Sequence, residues 1–76
     1  MNLLKATLSG GGKATIIRLD QIAAIQCNSW NEKHYGDYMG YWTAKIILLS
    51  GKEINIKEEY NNVEKVWFEW LTEHPQ

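Results

Sequence analysis

Apolar and polar residues alternate from Leu3 to Leu8, placing Leu4, Ala6 and Leu8 on one side of an extended chain and Leu3, Lys5 and Thr7 on the other. Gly10, Gly11 and Gly12 interrupt the pattern, and apolar residues resume from Ala14 to Leu19. Three successive glycines supply the positive φ angles of a chain reversal, so the pattern predicts a hairpin. Asp20 and Gln21 make a short turn before a third strand, Ile22 to Cys27. A polar, aromatic and glycine-bearing stretch from Asn28 to Tyr41 reads as a long loop. Trp42 to Leu49 is the clearest strand of the chain. Its later positions are apolar on both faces, with Ala44, Ile46 and Leu48 on one and Ile47 and Leu49 on the other, which predicts a central strand covered on both sides.

The turn after this strand follows from parity. Cross-strand partners share a face, so Ile54 and Ile56 must meet Ile46 and Leu48 in a register whose position numbers sum to an even value. A two-residue turn at Ser50 and Gly51 would set Ile46 against Asn55. A three-residue loop of Leu49, Ser50 and Gly51 sets Ile46 against Ile54, with Gly51 at the left-handed position of a bulged hairpin. The last segment is helical. Asn61 can cap it with Glu64 at capping-box spacing, and Val63, Val66, Trp67, Trp70 and Leu71 form one stripe. Pro75 ends it, and Phe68 lies off the stripe. The expected fold is a single α+β domain over residues 1–76, a curled antiparallel sheet of about five strands with one C-terminal α-helix packed on it.

Length sharpens the picture. A chain of 76 residues buries only about 60 % of the surface of its unfolded form. Domains of this size usually rely on disulfides, a metal or a partner subunit, and the single cysteine, Cys27, rules out an internal disulfide. A lone thiol fits a reducing cytosol better than a secreted setting, the N-terminal apolar run is too short for a signal peptide, and no stretch approaches the roughly 20 apolar residues of a membrane span, so the expectation is a cytoplasmic chain with no membrane attachment. Eight Lys and Arg against nine Asp and Glu leave a formal net charge of −1, so no overall field draws the chain to nucleic acid. Four Trp and four Tyr, however, are more than so small a core readily encloses. Aromatic side chains are enriched at binding surfaces because they offer large apolar area with few rotamers to freeze.

The order of these signals from about Ala14 to Leu71 resembles the short FlbD-type flagellar proteins. The shared parts are the Asp20-Gln21-Ile22 turn, an Ile-rich strand, a strand ending in Ser50-Gly51-Lys52, the Glu53-Ile54-Asn55-Ile56 strand and a terminal helix. The chain departs from that pattern in its longer loop from Asn28 to Tyr41 and in the Trp67-Phe68-Glu69-Trp70 segment. The resemblance implies a small accessory or assembly role and assigns no catalytic or binding residue.

Three constellations invite a chemical reading. Gly10-Gly11-Gly12-Lys13 lacks the first glycine and the Ser or Thr of a phosphate loop, whose positions hold Thr7 and Ala14, and a strand follows it, so a hairpin turn accounts for it better; a backbone nest for an anion stays open. Cys27, His34 and Asp37 have the residue types of a nucleophile, base and orienting carboxylate, yet nothing brings them together in sequence, and a structural thiol with a surface histidine is the commoner case. Cys27, His34 and His74 match no zinc spacing. The expectation is a protein that is not an enzyme, with no cofactor and no metal.

The aromatic loop is the most informative stretch. Trp30, Tyr35, Tyr38 and Met39 can fold back as a lid over the sheet face bearing Ile17, Ile47 and Leu49, or the rings can stack on a partner. In the first functional reading the chain is a homo-oligomer, a dimer or higher, with Ile17, Ile47, Leu49 and Phe68 at the interface and a protein partner at the aromatic loop. A second reading makes it a counter-defence protein of the phage or mobile-element type, sequestering a nucleotide-like ligand at a subunit interface. Trp30, Tyr35, Tyr38, Tyr41 and Trp42 would stack, with Arg18, Lys33 and His34 near phosphate. Single-stranded nucleic-acid binding ranks third, because acidic residues interleave with the basic ones along the chain.

Overall fold

A computed structural model describes residues 2–31 and 40–74. The elements run β1 (Leu3–Thr7), β2 (Ala14–Arg18), a 3-10 turn (Leu19–Gln21), β3 (Ile22–Asn31), β4 (Tyr41–Leu48), β5 (Glu53–Glu59) and α1 (Tyr60–Glu73). All described pairings are antiparallel. The fold is α+β, but its strands form two sheets, β1-β2 and β3-β4-β5, where the sequence predicted one curled sheet of about five.

The interruption has a local cause. Leu8 bridges Ile56, and the Ser9 amide donates to the Asn55 carbonyl at 3.0 Å, so β1 approaches β5 in ladder register. One residue earlier, the Thr7 amide donates to Glu58 Oε1 at 2.8 Å and the Thr7 hydroxyl to Glu58 Oε2 at 3.0 Å. A carboxylate has taken the donor that a continuing ladder would have used. The two sheets are joined at this seam, leaving β2 and β3 outermost among the described strands.

The predicted turns take their expected forms. Gly11 and Gly12 have φ of 82° and 68°, and the Leu8 amide closes the hairpin on the Lys13 carbonyl at 2.8 Å. Ile46 pairs with Ile54, and Gly51 at φ 91° completes the three-residue loop. Leu19, Ile46 and Ile56 are the largest fully buried side chains. Burying each contributes about 1.5–3 kcal/mol. Leu4, Ala6, Ile17, Ile22, Ala44 and Val63 complete the buried apolar set among the described residues, so hairpin, sheet and helix share one core.

Several expectations are corrected. β3 runs on to Asn31, so Asn28 to Asn31 are strand and not loop, and Tyr41 begins β4. β4 is central in its sheet, but its second face is only partly covered: Thr43 is buried and Ile47 half-buried, while Leu49, in the turn, is 64 % exposed. The helix starts a residue before Asn61. Glu59, extended at φ −66° and ψ 134°, is the cap and makes no capping side-chain bond, because β5 runs straight into the first turn. The face packed on the core is Tyr60, Val63, Trp67 and Trp70, while Val66 and Leu71 are exposed. The Trp70 indole donates to Asn2 Oδ1 at 3.1 Å, tying the end of the helix to the start of the chain. Pro75, the expected helix stop, lies outside the described residues.

Candidate functional site: the aromatic end of the β3–β4 hairpin

β3 pairs with β4 in a register that sets Ile25 against Ile46 and Cys27 against Ala44. Carried forward unchanged, that register would place Ser29 opposite Trp42. A one-residue bulge between Cys27 and Trp30 shifts it, so that Trp30 faces Trp42 and Asn31 faces Tyr41. The bulge is held from across the strand. Thr43, the one buried polar side chain among the described residues, takes the Ser29 amide at 3.2 Å and gives its hydroxyl hydrogen to the Ser29 carbonyl at 3.1 Å. The Ser29 hydroxyl lies 3.1 Å from Thr43 Oγ1. A buried hydroxyl is costly unless partnered, and here its partners are the groups that the bulge frees from the ladder.

The bulge brings the two indoles edge to face, with ring centroids 5.5 Å apart and planes at 69°. Such pairs contribute about 0.5–1.5 kcal/mol beyond the area they bury. They nevertheless remain half in water, Trp30 at 50 % and Trp42 at 48 % exposure. Asn31 Nδ2 donates to the Tyr41 hydroxyl at 2.8 Å alongside them. Gly40 completes the construction. A Cβ at this position would stand 2.6 Å from the Trp30 ring and 2.7 Å from the Asn31 carbonyl, so only glycine lets the returning chain lie against the indole.

The other expected site residues are scattered. Lys33, His34, Tyr35 and Tyr38 lie outside the described residues, as do Asp37 and Met39. Arg18 stands at the end of β2, where its guanidinium is paired with Asp20 at 2.7 Å. Lys45 is paired with Glu53 at 3.2 Å. Ile17 offers nothing to an interface: it is 4 % exposed and belongs to the core, because β2 turns Ile16 outward instead, at 61 % exposure. Ile47 is half-buried, and Leu49 is exposed. Phe68, off the helical stripe in the sequence, is 64 % exposed on the helix surface.

Cys27 is exposed in β3, and His74 stacks on Trp70 at the helix end, with centroids 4.8 Å apart. No group of three or more His, Cys, Asp or Glu side chains gathers among the described residues. The hydroxyl of Tyr60 ionises above the ordinary 10.0, first through hydrogen bonding to the Glu64 carboxylate, then through burial and the charge of Glu64. An open groove of about 380 Å³ lies between the glycine turn and residues 52–55 and is lined by Leu8, Gly10 and Thr15 from the first hairpin. It contains no aromatic ring, so it is separate in character from the tryptophan pair. Among the described residues no helix is long and apolar enough to cross a membrane.

Two signals for this site were present in the sequence but pointed elsewhere. Thr43 was one polar position of the expected strand, and Ser29 and Gly40 fell in the expected loop from Asn28 to Tyr41. Their roles arise from a contact 14 residues apart in sequence and from a ring that the bulge moves into place. No family model matches the chain, and neither does any curated protein or solved structure.

Proposed function

We propose that the protein is a small non-catalytic interaction module that self-associates, and that it engages a partner through the aromatic end of the β3–β4 hairpin and its exposed apolar faces. The observation that carries this reading is the surplus of apolar surface. Leu3 and Ile16 on the first hairpin, Trp30 and Trp42 on the second, and Phe68 and Leu71 on the helix are all substantially exposed. Large apolar patches left in water mark contact surfaces in small proteins, and a second subunit would supply the stabilisation that a single small core lacks. An accessory or assembly role is also what the resemblance to the FlbD-type proteins implies. Sedimentation across the micromolar range is the test. A weight-average mass rising above the monomer with concentration supports the reading, and a folded monomer throughout refutes it.

One observation favours a second reading, sequestration of a nucleotide-like ligand at a subunit boundary. The edge-to-face geometry of Trp30 and Trp42 leaves ring surface open for a base to stack on. Quenching of tryptophan fluorescence by nucleotides or cyclic dinucleotides, lost in Trp30→Ala, would support it. A spectrum indifferent to the whole panel would exclude it. Single-stranded nucleic acid has less support, because Arg18 and Lys45 are each engaged by a carboxylate.

A further inference from the structure

Of the two outer strands, β2 is five residues long and ends in Arg18, whereas β3 extends over ten residues, Ile22–Asn31. Proteins normally guard an exposed edge with charged side chains, proline, short length or bulges, because its unpaired amides and carbonyls will accept another strand. β3 contains no Lys, Arg, Asp, Glu or Pro. It does carry register shifts, between Ile22 and Ala24 and between Cys27 and Trp30, but the stretch Ala24–Cys27 between them is regular. Among the described residues no strand pairs with its outer side.

We infer that the outer edge of β3 is the self-association surface, pairing antiparallel with β3 of a second copy to join the two three-stranded sheets. This rests on the self-association proposed above and specifies where it occurs. A second copy is the fitting occupant for three reasons. Antiparallel pairing of a strand with itself satisfies a two-fold axis without any complementary sequence. Since β3 is uncharged, its own copy sets no like charges opposite one another. The size fits a weak, transient pairing. An overlap of about seven to nine residues is about 23–30 Å long and one layer of about 10 Å thick, and with the exposed half of Trp30 at roughly 150–250 Å² per ring it buries on the order of 500–800 Å² in total, in the range of weak encounters rather than stable complexes. The dimer is therefore a weak, reversible one.

Parity narrows the register. A two-fold axis perpendicular to the sheet keeps each face on its own side, so one residue must stand opposite its own copy. Within the regular stretch, registers centred on Ile25 or Gln26 keep the most pairs. Either brings the two Cys27 sulfurs within roughly 15 Å, given about 3.4 Å of rise per residue and about 4.8 Å between strands. Cys27 is the chain's one cysteine and is exposed, so it reports on this geometry directly.

The test uses the full chain, with sedimentation and a bismaleimide cross-linker able to span about 15 Å applied to wild type, Gln26→Lys and Gln26→Ser. Gln26 is exposed, so neither substitution disturbs the core, and circular dichroism checks the fold of each. The expected results are a reversible wild-type dimer that cross-links at Cys27, a Gln26→Ser dimer of similar strength, and a Gln26→Lys dimer at least tenfold weaker. A wild-type dimer indifferent to Gln26→Lys, or one whose Cys27 residues do not cross-link, overturns the edge assignment while leaving self-association standing. A folded wild-type monomer overturns both.

Discussion

Replacing Glu58 with alanine isolates the seam between the two sheets. In the native protein its carboxylate accepts the Thr7 amide at 2.8 Å and the Thr7 hydroxyl at 3.0 Å, across 51 residues of sequence. Hydrogen bonds to a charged acceptor contribute about 1.5–3 kcal/mol each when enclosed. Glu58 is only half-buried, so water replaces part of what is lost and the expected cost is about 1–2 kcal/mol for the pair. In a domain of this length about 1 kcal/mol lowers Tm by about 4–8 °C, giving a fall of roughly 5–15 °C, measured by circular dichroism. The loss is also local. Amide exchange should accelerate in β1, at Leu4 and Ala6, by more than it does at Ile46 in the centre of β4. Thr7→Val removes only the hydroxyl bond and should cost less, and combining it with Glu58→Ala should give less than the sum, since the two share one interaction. A Tm within 2 °C or so of wild type, below about 0.5 kcal/mol, with β1 exchange unchanged, would refute the claim that this carboxylate joins the sheets.

Other expected outcomes concern the core, the turn, the aromatic end and the helix. Ile46→Ala or Ile56→Ala empties a fully buried site and should cost about 2–5 kcal/mol, seen in urea titration as a large drop in midpoint or as failure to fold. Gly51→Ala should cost about 1 kcal/mol through its φ of 91° alone, because no heavy atom stands within 4 Å of the added carbon; a Tm equal to wild type would contradict this. Gly40→Ala should displace the Trp30 ring and abolish the coupled-indole band in far-ultraviolet circular dichroism, while Ile46 exchange stays near normal. Because the Tyr60 pKa is raised, the folded state holds that proton more tightly than the unfolded chain. Its contribution to stability is complete below pH 10.0 and is lost as pH rises from there through the folded value. Glu64→Gln should bring the Tyr60 titration, followed by phenolate absorbance, back towards 10.0.

Where local rules decide the outcome, the fold is readable from the chain. The glycine triplet, the alternation of Leu4 and Ala6, and the parity that pairs Ile46 with Ile54 each involve residues close in sequence, and each takes the expected form. The departures come from long-range polar contacts. The sheet divides because the side chain of Glu58 reaches Thr7, and β3 lengthens because Thr43 stabilises a bulge at Ser29. Neither choice is visible in hydrophobic periodicity, which treats Glu, Thr and Ser as equivalent surface positions. The helix boundary moved for a related reason: Asn61 is a good cap in isolation, but the chain leaving β5 is already helical at Tyr60. At the candidate site, the aromatic residue types were legible while their pairing was not, because a single extra residue in β3 decides whether Trp42 meets Ser29 or Trp30.

The concentration dependence of molecular mass bears most directly on the central claim that the chain exposes more apolar surface than it can hide alone. Sedimentation equilibrium of the untagged protein, from low micromolar to several hundred micromolar, should show a reversible rise towards twice the mass of the chain, 8.8 kDa. A single species of one chain's mass over the whole range, with native circular dichroism, would contradict it.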